Sequence, residues 1–356
     1  IRGEYQRDAR HRRRALLRVQ ATRLAVTAFW VVRLDRPGLP ADGVRPGADY
    51  RYGEVTPWEG AIVSRIRLAV IAVVLTLAAC SAGGAAPAGT SAVSSSTGAG
   101  RDGAVGVVPR RDHVVVVVME NHSYSDVIGR ASAPYINGLA AQGVSFSHAS
   151  GVAHPSEPNY LALFSGSPQG VTDDSCPHTF SAASLGAELI AAGDTFVGYS
   201  ESMPSDGYTG CTSGNYARKH NPWVNFPTVG ASANLGFDRF PTNYAMLPTV
   251  SFVVPNLCND MHDCPAATGD TWLHNHIDTY VQWAKTHNSI LVLTWDEDDS
   301  GHNNNIPTVV VGAGVKTGTV AEHINHYSVL RTLEDMYHLP YAGNSASAAP
   351  ITDIWR

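Results

Sequence analysis

The chain of 356 residues is 44% hydrophobic and 16% charged, which is enough apolar material for a large folded core and excludes a wholly disordered or collagen-like chain. Its formal net charge of −6 hides an asymmetry: residues 1–67 hold 14 of the 25 Lys and Arg and 7 of the 31 Asp and Glu, leaving 11 basic against 24 acidic beyond them, a net of −13. So acidic a body repels a phosphate backbone and excludes nucleic acid as a partner.

Residues 1–62 begin with Ile, are rich in Arg and show no sustained helical or strand period, so they read as sequence translated from upstream of a start at Val63. Residues 63–80 then have the layout of an export signal: Arg65 and Arg67, the apolar run LAVIAVVLTLAAC, and small residues before Cys80. Leu77-Ala78-Ala79-Cys80 resembles a bacterial lipoprotein box, which implies lipidation at Cys80 and a protein anchored to the outer face of the cell membrane by lipid alone. Residues 81–110, rich in Gly, Ala and Ser, read as a flexible linker. Four cysteines remain in an exported chain, which suggests two disulfides with three possible pairings. Cys176–Cys211 with Cys258–Cys264 is preferred because the second pair closes a short local loop; free thiols or soft-metal ligands are the alternative.

The body, 111–343, alternates strands and helices, with 344–356 set apart as a C-terminal tail. HVVVVVM (His113–Met119) has no polar alternation and reads as a central strand buried on both faces. Helices follow at Pro134–Gln142 and Tyr160–Phe164, and short strands at Phe196–Tyr199 and Ser251–Pro255. Asp270–Lys285 reads as a helix, Ser289–Thr294 and Thr308–Gly312 as strands, and Tyr327–Tyr337 as a closing helix. The alternation predicts an α/β fold, a mostly parallel central sheet sandwiched by helices, with its ligand at the carboxyl ends of the strands.

Oxygen-rich residues follow those strands: Glu120 and Asn121 after the first, Asn256, Asp260 and His262 after SFVVP, and Asp296 to Asp299 after SILVLT. Carboxylates gathered from several strands repel one another unless a cation sits among them, which points to a divalent metal, Mg, Ca, Mn or Zn; hard oxygen donors with few imidazoles suit Mg, Ca or Mn better than a thiolate-loving metal. Ser156 precedes an apolar run, where the free amides of a helix N-terminus favour a phosphate; a plain N-cap serine is the alternative.

VVVVVMENHSYSDVIG, HPSEPNYLALFSG, YARKHNPWVNF, SFVVPNLCNDMHDC, LVLTWDEDDSGHNNNIPTVVVGAGV and HYSVLRTLEDMYHL occur in order between His113 and Leu339. Together they resemble the phosphoesterase family of bacterial acid phosphatases and phospholipases C, in the alkaline-phosphatase superfamily. The resemblance implies an alkaline-phosphatase-like fold and a phosphate-ester substrate. It places a metal on Glu120, Asn121, Asp296 and Glu297, with the register inside WDEDD open by up to two residues, and makes Ser156 a nucleophile that forms a phosphoserine, with Asn159 contacting phosphate. Lys219 and His220 offer a cation and a leaving-group acid, His154 and His326 are second-rank candidates, and Asp260 with His262 could form a second metal or substrate site. The implied activity is an exported acid phosphatase acting on phosphomonoesters; the alternatives are a phospholipase C-type phosphodiesterase and a surface lipoprotein without catalysis.

Overall fold

A computed structural model describes residues 108–356. The expected signal segment, Cys80 and nearly all of the linker lie outside the described residues.

An eight-stranded sheet organises the body, in the order β10-β2-β9-β8-β1-β7-β3-β6. The strands are β1 (His113–Met119), β2 (Val144–Ser150), β3 (Phe196–Ser200), β6 (Asn234–Gly236), β7 (Val250–Val254), β8 (Ser289–Trp295), β9 (Thr308–Gly312) and β10 (Gly318–Asn325); β4 (Thr212–Ser213) and β5 (Tyr216–Ala217) form a separate small hairpin. In β1 and β8, at the centre, essentially every side chain is buried, as a strand covered by helices on both faces requires. Every neighbouring pair is parallel except at β9, which runs antiparallel to β8 and β2. The polar stretch between Trp295 and Thr308 contains no crossover helix, so the chain returns directly and β9 must reverse. The acidic run after β8 is therefore held in the connecting loop of an antiparallel pair.

The helices are α1 (Tyr124–Val127), α2 (Pro134–Gln142), α3 (Ser156–Ser165), α4 (Leu185–Ala192), α5 (Ala266–Ala284) and α6 (His326–Tyr337). The helix expected from Tyr160 begins four residues earlier, at Ser156, and is buried along its whole length. It ends at Gly166, where the φ of +68° and the Ala342 carbonyl oxygen, which would lie only 1.8 Å from a Cβ, leave room for glycine alone. α6 starts where Asn325 accepts the amides of Tyr327 and Ser328 in a capping box.

Seven elements escaped the sequence pattern: β2, β4, β5, β6, β10, α1 and α4. The segment 344–356, expected to be a tail, is instead part of the fold: Ile351 and Ile354 are buried, and Trp355 bridges to Val315. Both preferred disulfides are present, Cys176–Cys211 and Cys258–Cys264.

Candidate active site

The carboxyl ends of β8, β1 and β7 are adjacent in the sheet, so Asp296, Glu120 and the 256–260 loop converge without any long-range rearrangement. Glu120, Asp260, Asp296 and Glu297 are all nearly inaccessible. The backbone ties the three strand ends together: the amide of Glu120 donates to the Asp260 carbonyl at 2.9 Å, and that of Asp296 to the Met119 carbonyl at 3.0 Å.

Ser156, the first residue of α3, is brought among these carboxylates from the other side of the sheet edge. Its hydroxyl lies 3.2 Å from Glu120 Oε2 and 3.3 Å from Glu297 Oε1. Asn121 sits next to it at a φ of +53°, with its amide donating to Asp296 Oδ1 at 3.1 Å. Glu297 thus faces the serine directly, and Asp296 stands beside it through Asn121. Asp298 turns into the loop, accepting the amides of Ser300 and His302, and Asp299 goes to the surface with His302.

His220 is buried between two carboxylates, with Nε2 3.0 Å from Glu120 Oε1 and Nδ1 3.3 Å from Asp260 Oδ2. Burial alone would discharge the imidazole, but Glu120 and Asp260 more than offset it and raise the ring to about 9. Burial likewise pushes Glu120 up, yet His220 and the Tyr160 hydroxyl bring it down to about 2. Asp296 has no such partner: burial, Glu120 and Glu297 drive it well above the ordinary range. Burial raises Glu297 to about 7 against the opposing effect of His154.

Several expectations change on this geometry. Both nitrogens of His220 are engaged away from solvent, so it fixes carboxylates and is badly placed to protonate a leaving group. His154 is the more exposed imidazole, its side chain 38% accessible, with Nδ1 2.5 Å from Glu297 Oε2 and Nε2 3.4 Å from Asp298. Asn159 has no atom to spare for phosphate: its oxygen accepts the amides of Val152 and Ala153, and its nitrogen donates to the carbonyls of Ala153 and Pro155. It shapes the turn that presents Ser156. Of the first-turn amides of α3, that of Glu157 donates to Asp174 and Pro158 has none. His326 donates through Nε2 to the Asp296 carbonyl at 2.6 Å and is kept neutral by burial, lowered to about 4. His262 pairs with Asp263 at the rim, outside the cluster of Glu120, His220 and Asp260.

Lys219 reaches the site as expected, held by Asp174 at 2.8 Å. Asp174 and Tyr160 were not singled out from sequence. Tyr160, one helical turn after Ser156, donates to Glu120 Oε1 at 2.6 Å. Only the i,i+4 spacing from Ser156 on a buried helix signals it.

The donor set fits a divalent cation. Buried carboxylates outnumber the cations that face them, and Asp296 Oδ2 lacks a hydrogen-bond partner among the described residues. Such an orphaned anionic oxygen is costly without a positive charge beside it.

Residues 130–340 match the Phosphoesterase family model. Over 255 residues the chain is 53% identical to a phosphatidylinositol-3-phosphatase of Mycobacterium tuberculosis, covering 71% of this chain and 85% of that protein. It is 30% identical over 259 residues to an acid phosphatase of Aspergillus fumigatus, covering 67% of this chain and 57% of that one. Among solved structures, an alkaline-phosphatase-superfamily protein from Vibrio parahaemolyticus aligns with a TM-score of 0.50 at 11% identity, over 70% of this chain and 75% of that one. A lipoteichoic acid synthase from Listeria monocytogenes also aligns at a TM-score of 0.50 and 11% identity, over 69% and 76%. These two likenesses concern the fold, which is that of the alkaline-phosphatase superfamily.

Proposed function

The chain belongs to the phosphoesterase family and is a hydrolase of phosphoric ester bonds, and from that premise we propose that it is a metal-dependent phosphomonoesterase working through a phosphoserine on Ser156. The observation that carries the reading is the Ser156 hydroxyl, placed at the head of a buried helix between Glu120 and Glu297. The N-cap position is taken by Pro155 and Ser156 is the first helical residue, so its hydroxyl is not an N-cap acceptor.

Glu120, Asn121, Asp296 and Glu297 would hold the divalent cation, which supplies positive charge to the reacting phosphoryl group and acidifies the serine hydroxyl. The remaining steps belong to the chain's own residues. Ser156 Oγ attacks phosphorus as its proton passes to Glu297, whose Oε1 lies 3.3 Å away. Lys219, fixed by Asp174, neutralises a non-bridging oxygen. The ester oxygen leaves as the alcohol with a proton from His154 at the exposed side. Water then attacks the phosphoserine as its proton passes to His154, and Ser156 recovers its proton from Glu297 as phosphate departs.

The relative from Mycobacterium tuberculosis suggests an inositol phospholipid headgroup as the substrate class, and the export signal with Cys80 would place the enzyme at a membrane surface. Assaying the purified protein on a phosphomonoester and on a phosphodiester, with metal content measured on the same sample, tests the reading. Monoester turnover that tracks bound metal supports it; turnover confined to the diester favours the phospholipase C-type alternative.

A further inference from the structure

Glu157 follows Ser156 on α3, is buried and has no part in the reaction steps above. It is nevertheless where the helix of the nucleophile meets the turn Arg218–His220, which carries Lys219. Two routes join them. The backbone amide of Glu157 donates to Asp174 Oδ1 at 3.0 Å, and the other oxygen of Asp174 accepts Lys219 Nζ at 2.8 Å. Its side-chain Oε1 accepts the Asn225 amide nitrogen at 3.1 Å, and the Asn225 oxygen accepts Arg218 Nη2 at 2.8 Å and Nε at 3.2 Å. Arg218 closes the frame by donating to the carbonyls of Thr209 at 2.6 Å and His178 at 2.9 Å.

Such a frame fixes a distance. Ser156 and Lys219 act on the same phosphoryl group from separate segments, so their spacing depends on what ties α3 to the turn. A displacement of about 1 Å between reacting groups can cost on the order of 10²-fold in rate.

The surroundings of Glu157 also choose its protonation state. Oε1 has only a neutral carboxamide as partner, and Oε2 is buried with no hydrogen bond among the described residues. The charged and titratable groups facing it are Asp174 and His178 from the loop 173–180, with Arg218 and His220 from the turn. None of the cations serves it closely. His178 Nε2 stops at 3.7 Å and lies 3.3 Å from Ser175 Oγ, Arg218 is spent on Asn225 and two carbonyls, and His220 is held between Glu120 and Asp260. Burial, with a smaller contribution from Asp174, outweighs the bond from Asn225 and the two cations of the turn and raises the carboxyl to about 7.

We propose that Glu157 is a positioning residue that holds Ser156 and Lys219 in register as the uncharged acid, and that its ionisation lowers activity on the alkaline side. An anion there repels Asp174, on which Lys219 depends, and stands one residue from the attacking hydroxyl, where it opposes an incoming phosphate. The proposal rests on the phosphomonoesterase reading of Ser156 and adds a residue outside the reacting groups.

The test compares Glu157→Gln and Glu157→Leu with wild type in the full chain, on phenyl phosphate from about pH 5 to about pH 9, with the melting temperature of each. At the acid end Glu157→Leu, which keeps the bulk and loses the bond to Asn225, should fall about 10- to 100-fold in kcat with KM changed less than about three-fold, the pattern of a misplaced reacting group. Glu157→Gln keeps that bond and cannot ionise. It should recover most of the loss and hold kcat/KM to about one pH unit higher than wild type. Where Glu157→Leu melts too low to assay, the Gln profile decides alone. A Gln variant that is severely slowed at the acid end, or that loses activity over the same pH range as wild type, would overturn the proposal, as would a folded Leu variant with wild-type kcat. A wild-type protein that turns over no phosphomonoester overturns the reading of Ser156 instead.

Discussion

Tyr160 and His220 lie face to face, their ring centroids 5.0 Å apart and their planes within 15°, and both address the same oxygen of Glu120. One ring comes from the helix that carries Ser156 and the other from the turn after the β4–β5 hairpin. Together they fix the orientation of Glu120 and leave its second oxygen for Ser156.

Replacing Tyr160 with Phe keeps the stacked ring and removes one hydrogen bond to a carboxylate expected to hold metal. Partners of this kind typically contribute 10- to 100-fold to metal affinity. We expect a loss of about that order in equilibrium dialysis against metal buffers. Unchanged affinity would show that His220 alone positions Glu120.

Asp296 is buried and, apart from one backbone amide, faces carboxylates. Asp296→Asn should therefore abolish turnover while raising the melting temperature of the chelator-stripped protein at pH 7 to 8, because it removes an uncompensated buried charge. A stripped variant that melts below the stripped wild type contradicts this.

The legibility of this fold in its sequence followed burial. β1 and β8 declare themselves because both faces are covered and every position is apolar. β10 (GTVAEHIN) lies at the sheet edge with most side chains at least partly exposed, and β2 (VSFSHAS) mixes Ser and His into a half-covered strand, so neither shows an unbroken apolar run. In the site, residues that directly follow strands were readable because their position alone sets their place. Asp174 was not, since a loop tied down by Cys176–Cys211 brings it to Lys219. Asn159 has the right residue type for phosphate, but its amide is consumed by backbone that only the folded turn brings near.

The two disulfides differ in what they constrain. Cys176–Cys211 spans a separation of 35 residues and Cys258–Cys264 one of 6, so loop-closure entropy gives roughly 4 against roughly 2 kcal/mol. Paired Cys→Ser variants should show the larger fall in denaturant midpoint for the first. The first variant should also lose activity because it frees the loop bearing Asp174, and the second because it frees the loop bearing Asp260. Full activity in the first variant would separate Asp174 from catalysis.

Glu188 on α4 and Glu334 on α6 oppose each other, and burial followed by this repulsion raises Glu188 from 4.5 to about 7. Burial also raises Glu334 to about 7 despite its bond to Ser345. A folded-state value above the unfolded one favours the protonated form, so this stability is complete below pH 4.5 and is lost as pH rises through 7. Melting temperature should fall across that window, and Glu188→Gln should flatten the fall. A variant with an unaltered slope would assign the pH dependence to other groups.

The serine hydroxyl between Glu120 and Glu297 is the centre of the mechanism, and acid quenching tests it most directly. Wild-type protein mixed with a 32P-labelled phosphomonoester and quenched in acid should carry label on the peptide that contains Ser156. Ser156→Ala should carry none and should lose several orders of magnitude in turnover while melting close to the wild type. A Ser156→Ala protein that keeps about a tenth of normal turnover, or label found on a different peptide, would contradict the phosphoserine mechanism and leave water as the direct attacking group.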